Sequence, residues 1–125
     1  MLLSILKSKI SNVSVTKTEL YYEGSITVDA DILEAAGIRA GEKVEVLNLN
    51  NGSRLETYAI CGPRGTGEVC LNGPAARQGY GGDRIIILSY ALLSPQEAQD
   101  FKAKKIVLTD HNRLKNSSSI RAKKR

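Results

Sequence analysis

Residues 43–60 read KVEVLNLNNGSRLETYAI, two alternating segments joined by Asn50-Asn51-Gly52. In 43–48 and again in 54–60, apolar and polar residues alternate as they do in half-buried strands. An Asn-Gly pair supplies the positive φ angles that a tight turn between two strands requires. The stretch therefore predicts a β-hairpin.

The rest of the chain offers more short strands than helices. Strands are predicted at 13–16, 25–28, 68–72, 84–90 and 105–108, and the apolar run at 84–90 indicates a strand buried on both faces. A short helix is predicted at 29–37, with Asp31 and Glu34 at capping-box spacing, and a second one after the cap Ser94-Pro95-Gln96-Glu97. Many short strands without βαβ spacing predict a mainly β fold, a small β-barrel with two or three short helices.

The formal charge of +5 belongs to the end of the chain. Residues 1–100 carry nine Lys/Arg and twelve Asp/Glu, whereas 101–125 carry nine Lys/Arg and a single acid, Asp110. Residues 110–125 have too few apolar side chains to pack, which predicts a disordered basic tail after one domain at 1–109. A non-enzymatic β-barrel module that binds DNA or regulates through this tail is the alternative to an enzyme.

Several kinds of protein are disfavoured. No apolar run approaches the roughly 20 residues that span a bilayer, and the first residues lack a basic leader, so we expect a cytoplasmic protein without membrane contact. Cys61 and Cys70 are poorly spaced for zinc and are expected to be buried thiols. The single histidine, His111, lies where the ordered chain should end, which disfavours a catalytic triad or a metal site. The glycine-rich loops lack the strand and helix of a phosphate loop, and no nucleic acid is expected.

The stretch Tyr21-Tyr22-Glu23-Gly24-Ser25 contains a candidate internal electrophile. A Gly-Ser pair usually marks only a turn. Glycine also permits a strained backbone, however, and the Ser25 hydroxyl can attack the Gly24 carbonyl and convert the amide into an ester. Elimination and hydrolysis would then leave a pyruvoyl group on residue 25.

This pair belongs to the motif Tyr22-Glu23-Gly24-Ser25, which is preceded by Lys9 and followed in order by residues 51–54 leading to 57–60 and by residues 72–76 with Gly82-Asp83. With them, the chain resembles the bacterial aspartate 1-decarboxylases, small pyruvoyl-dependent enzymes that make β-alanine for pantothenate synthesis. The resemblance implies a double-psi β-barrel and a homotetramer with active sites between subunits. It also implies cleavage into a β chain, 1–24, and an α chain, 25–125. It leaves open whether maturation is spontaneous or needs an accessory protein.

The resemblance also implies residue roles. Ser25 is the precursor of the pyruvoyl group that forms a Schiff base with L-aspartate, in place of pyridoxal phosphate and without a metal, and Tyr58 is the proton donor. Lys9 and Arg54 would bind the substrate carboxylates, since an arginine fork suits bidentate pairing. The remaining substrate contacts are Thr57, Gly73, Pro74 and Ala75, and self-processing would involve Gly24, Ser25, Thr57, Tyr22 and Asn72.

Two departures from the family pattern bear on these roles. Pro74 stands where the family often has alanine, and its missing N–H removes one donor to the substrate. Ser11 and Tyr21 stand where histidine is frequent, which excludes an essential imidazole there. Taken singly, Lys9 would be a solvated strand charge and Tyr58 an ordinary barrel tyrosine, and only their joint occurrence around Gly24-Ser25 favours a site.

Overall fold

The computed structural model describes residues 1–114. Within them residues Gly73–Arg77 form a short 3-10 helix. The strands and α-helices are β1 (Leu3–Ser14), β2 (Lys17–Glu19), β3 (Ile26–Asp29), α1 (Ala30–Ala36), β4 (Lys43–Asn48), β5 (Arg54–Gly62), β6 (Val69–Asn72), β7 (Arg84–Leu93), α2 (Pro95–Asp100), β8 (Lys104–Thr109) and β9 (Arg113–Leu114). The predicted mainly β class is confirmed.

The strands form one sheet in the order β2-β6-β3-β5-β4-β7-β1-β8-β9. β2 lies at one end of this order and β1 lies near the other, yet only Val15 and Thr16 separate them along the chain. The Val15 amide donates to the Asp83 carbonyl before β7, at 2.9 Å, and the Thr16 amide donates to the Val69 carbonyl of β6, at 2.8 Å. The sheet therefore curls into a small barrel around a single apolar core.

The hairpin prediction is confirmed. β4 pairs with β5 in antiparallel register from Lys43↔Tyr58 to Leu47↔Arg54, and Gly52 in the turn has φ +75°. β7 carries the predicted buried run, and its Ile85 and Ile87 are fully enclosed in the core. Both elements follow from local sequence signals because turn chemistry and an apolar run act within a few residues.

The first strand is longer than predicted. The prediction at 13–16 is wrong in its extent, because β1 runs from Leu3 to Ser14. Its pairing with β7 shifts register between Leu6 and Ser8 and again between Ile10 and Val13, where Asn12 has φ +59°. Each bulge breaks the alternation of inward and outward side chains, so a period-two pattern does not reveal the whole strand.

The two helices begin with different caps. The predicted capping box at Asp31 is wrong: Asp29 is the N-cap of α1, and its carboxylate accepts the Asp31 amide at 2.8 Å. Gly37 closes α1 in the left-handed conformation, as predicted. In α2 the reciprocal hydrogen bonds of Ser94 and Glu97 confirm the predicted capping box.

The described chain continues beyond the predicted domain boundary at residue 109. Asn112 is buried and donates to the carbonyls of Ser14 and Gly67, both at 2.8 Å, and β9 then pairs with β8. His111 is exposed in the turn before it. Residues 115–125 of the predicted disordered tail lie outside the described residues. In the described part, neither helix has the length and apolar character needed to cross a membrane.

Candidate active site

Three neighbouring strands bring the candidate reactive residues together. β3 pairs in parallel with β5, starting at Ile26↔Ala59, and antiparallel with β6, where Ile26↔Leu71 is the corresponding pair. Ser25 directly precedes β3, and continuing both registers by one residue places it beside Tyr58 of β5 on one side and Asn72 of β6 on the other. The Asn72 amide donates to the Ser25 carbonyl at 3.0 Å, which continues the antiparallel register.

A cavity of about 390 Å³ opens at this point, where β5 exchanges β4 for β3 as its pairing partner. Adjacent residues of a strand normally point to opposite faces, but both Thr57 and Tyr58 line this cavity because it lies at the start of β3. The other lining residues are Glu23, Gly24, Ser25, Leu55, Glu56, Asn72, Pro74, Ala75 and Gln78.

The Gly24-Ser25 pair has an unusual backbone. Gly24 has φ +136° and Ser25 has φ +92°, although Ser25 carries a side chain that disfavours this region. A non-glycine residue held there costs of the order of 1–3 kcal/mol, which the surrounding structure must supply. Ser25 is also only 1% exposed, so its hydroxyl is shielded from bulk water.

Asn72 holds the Ser25 hydroxyl. Its side-chain nitrogen donates to Ser25 Oγ at 3.0 Å and to Thr27 Oγ1 at 2.8 Å, while its side-chain oxygen lies 3.2 Å from Cys70 Sγ. The four residues share one face of β3 and β6, since Ile26 and Leu71 point into the core between them. Both the oxygen and the nitrogen of the buried Asn72 side-chain amide therefore have hydrogen-bond partners.

Gly73 lies directly beneath the Gly24 backbone. It has φ +60°, and a Cβ atom there would overlap the Tyr22 carbonyl oxygen and lie 2.8 Å from the Gly24 nitrogen. Only glycine permits this approach, because any side chain would push residues 22–24 away. Gly73 thus fixes the position of the segment that leads into Ser25.

Four predicted residues do not line the cavity in the described chain: Lys9, Arg54, Tyr22 and Gly73. Lys9 lies on β1, where it pairs with Lys105 of β8, and the strands β4 and β7 lie between β1 and β5 in the sheet. Arg54 is exposed at the start of β5 and forms an ion pair with Glu45 at 3.0 Å. Tyr22 is half-exposed and lines a neighbouring cavity that also contacts Asn72.

The charged side chains that line the cavity are acidic. Glu23 and Glu56 both border it, and Glu56 lies 3.3 Å from Lys43 in an exposed ion pair. A substrate with two carboxylates needs cations that this lining, as described, does not supply. Among residues 1–114, His, Cys, Asp and Glu side chains form no group of three or more that could hold a metal ion.

Sequence reasoning missed some residues of the site and misjudged another. Cys70 and Thr27 belong to the Asn72 network, and the two-residue spacing of Cys70 and Asn72 on one strand was the signal that could have found them. Gln78 and Glu56 line the cavity without a motif of their own. Cys61, expected to be buried, is exposed on β5.

The chain is similar to known proteins over most of its length. A family model described as aspartate decarboxylase matches residues 1–115. A relative from Chloroherpeton thalassium named aspartate 1-decarboxylase is 51% identical over 92% of this chain and 85% of its own length. Relatives of the same name from Salinibacter ruber and Caldicellulosiruptor saccharolyticus are 50% and 49% identical, over 88% and 91% of this chain and 75% and 89% of theirs. The chain belongs to the aspartate decarboxylase family.

Proposed function

We propose that the chain removes the α-carboxylate of L-aspartate, giving β-alanine and carbon dioxide for pantothenate synthesis, after it has cut its own backbone between Gly24 and Ser25. The observation that carries the proposal is Ser25, which is buried, strained at φ +92°, held by Asn72, and borders one cavity with Gly24 and Tyr58. Family membership favours this enzyme over a DNA-binding module that uses the basic tail.

The cleavage begins with the Ser25 hydroxyl. Ser25 Oγ forms a bond to the Gly24 carbonyl carbon, the carbon–nitrogen bond breaks, and the hydroxyl proton passes to the released nitrogen. Loss of the Ser25 α-hydrogen then expels the Gly24 carboxylate, and water replaces the nitrogen, which leaves as ammonia. The strained φ angle of Ser25 supports this sequence because the cut relieves it.

The neighbouring residues fit the pyruvoyl group that would result at position 25. When formed, the group supplies a carbonyl that captures the substrate amine and accepts the electron pair released with carbon dioxide. Tyr58 donates the proton that completes the product, since its phenol hydroxyl can donate a proton and its side chain borders the same cavity as Ser25. Thr57, Pro74 and Ala75 line the substrate space, and Thr57 also assists cleavage at the adjoining Gly24.

The carboxylates of aspartate are bound by cations from another subunit. Lys9 and Arg54 fill this role in a homotetramer with active sites between subunits, because within one described chain both lie outside the cavity. Lys9 and Lys105 are register partners on parallel strands, so both side chains leave the same face of the sheet. Lys9 and Lys105 place two positive charges side by side, and the residue paired with Lys9 on the neighbouring strand β7 is Leu88 instead of an acid. This arrangement favours an incoming carboxylate.

Intact mass spectrometry of the purified protein is the decisive measurement. We expect two chains, 1–24 and 25–125, whose summed mass exceeds that of the unbroken chain by one water minus one ammonia. The longer chain should lack a free amino terminus. Activity from a preparation that contains only the unbroken chain would overturn the proposal.

Ser25→Ala tests the role of the Ser25 hydroxyl in cleavage and activity. It should yield one uncleaved, inactive chain because no hydroxyl remains to attack Gly24. Ser4→Ala, which removes an exposed hydroxyl on β1, is the control and should cleave and decarboxylate as the wild type does. Aspartate decarboxylation by Ser25→Ala at the wild-type rate would contradict the mechanism.

A further inference from the structure

Cys70 is a buried thiol next to the cleavage site that the proposed reaction does not use. It is 1% exposed, and it pairs with Thr27 across β3 and β6. Its Sγ lies 3.2 Å from Asn72 Oδ1, within reach of a hydrogen bond in which the thiol donates. The nitrogen of the same Asn72 side chain faces Ser25 Oγ and Thr27 Oγ1.

The contact with the thiol distinguishes the two ends of the Asn72 amide. The amide oxygen only accepts hydrogen bonds and the amide nitrogen only donates them. Turning the amide over would place its nitrogen against sulfur, a weak acceptor, and would place its oxygen against the two hydroxyls, which would then donate to it instead of accepting. A donor at Cys70 therefore favours the orientation in which the nitrogen meets Ser25.

The thiol keeps its proton at neutral pH. Burial raises the pKa of Cys70, the nearby Lys17 opposes this shift, and Glu19 and Glu68 add to it. Cys70 is thus available as a donor to Asn72 and is a poor nucleophile.

We propose that Cys70 is a positioning residue for cleavage at Gly24-Ser25, whose thiol proton orients Asn72 so that the amide nitrogen donates to Ser25 Oγ. The inference rests on the proposed self-cleavage. With one lone pair of Oγ occupied by Asn72, the hydroxyl hydrogen is turned away from the amide, and a second lone pair is free to attack the Gly24 carbonyl. Cys70 itself forms no covalent bond in the reaction.

The test follows the cleaved fraction of freshly purified protein with time, by denaturing electrophoresis and intact mass. Cys70→Ala should cleave about five to ten times more slowly, as expected for the loss of one neutral hydrogen bond. Cys70→Ser should restore a rate close to the wild type, because a hydroxyl also donates. Cys61→Ala, which removes the exposed cysteine of β5, should leave the rate unchanged.

A double substitution separates positioning from packing. If Cys70 acts through Asn72, adding Cys70→Ala to Asn72→Ala should slow cleavage no further. Should Cys70→Ala fail to fold, as judged by thermal melting, Cys70→Val replaces it as a donor-free variant that retains volume.

Three outcomes overturn the inference. The donor-free variant cleaves at the wild-type rate, or Cys70→Ser is slowed as much as Cys70→Ala, or the double variant cleaves more slowly than Asn72→Ala alone. If the wild type cleaves and Cys70→Ala matches it, only this inference fails. If the wild type stays unbroken while it decarboxylates aspartate, the proposed self-cleavage fails together with it.

Discussion

Alanine in place of Gly73 tests how the cleavage segment is held. At Gly73 the new Cβ would overlap the Tyr22 carbonyl oxygen and lie 2.8 Å from the Gly24 nitrogen. Gly52, in the β4–β5 turn, has a similar φ of +75°, but a Cβ there would have no heavy atom within 4 Å. Gly52→Ala is therefore a matched control that carries the backbone strain without the steric overlap.

The magnitudes follow from these two environments. A left-handed backbone costs a non-glycine residue about 1–2 kcal/mol, and this applies to both variants. Forcing an extra carbon into a packed region costs about 1–3 kcal/mol more, and this applies to Gly73→Ala alone. We therefore expect losses of about 1–2 kcal/mol for Gly52→Ala and about 2–5 kcal/mol for Gly73→Ala. Domains have about 5–15 kcal/mol of stability, so one with at least about 7 kcal/mol remains largely folded in either case.

The free energy of unfolding is measured by urea denaturation with each substitution placed in the uncleaved Ser25→Ala chain, and the cleaved fraction is followed with time in the variants that retain Ser25. Gly73→Ala should cleave at least about tenfold more slowly than Gly52→Ala, because displacing Gly24 by a fraction of an ångström spoils the attack geometry at Ser25. Equal losses of stability together with equal cleavage rates would refute the close packing of Gly73 against residues 22–24.

Three further predictions concern the substrate and the fold. Tyr58→Phe should cleave normally but turn over about 10²–10⁴ times more slowly, measured as β-alanine formed, because it lacks the proton that the phenol donates; a wild-type rate would assign the proton to another group. Lys9→Gln should raise the KM for aspartate. Lys104→Gln is the control and should not, because the Lys104 side chain lies beside Gly37. A KM of Lys9→Gln equal to that of the wild type would remove Lys9 from the site. Burial opposes ionisation of Asp29, but hydrogen bonds from the amides of Gly67, Gly65 and Asp31 outweigh burial and lower the pKa of Asp29 below 3.8. The stability that the Asp29 carboxylate adds to the fold is therefore complete above pH 3.8. It is lost as the pH falls through the lower pKa of the folded state. Asp29→Asn should therefore lower Tm at neutral pH, and the gap should close in acid; a gap that widens in acid would contradict this sign.

Local signals predicted the elements that depend on local chemistry. The Asn51-Gly52 turn and the Ser94–Glu97 capping box are each complete within a few residues, and both are present in the structure. The length of β1 and the N-cap of α1 were not predicted. In β1 the bulges interrupt the alternation, and at α1 the Asp29 carboxylate also accepts the amides of Gly65 and Gly67, which are distant in sequence.

The Gly24-Ser25 pair can be proposed from the sequence alone, because the chemistry of a glycine carbonyl beside a serine hydroxyl resides in two adjacent residues. The surroundings of that pair depend on the tertiary structure. Asn72 reaches Ser25 across 47 residues of chain, Cys70 orients that contact, and Gly73 packs against Gly24, all through the register of β3 with β6. Pairing between distant strands is set by how the whole sheet closes around its core, so no local pattern records it.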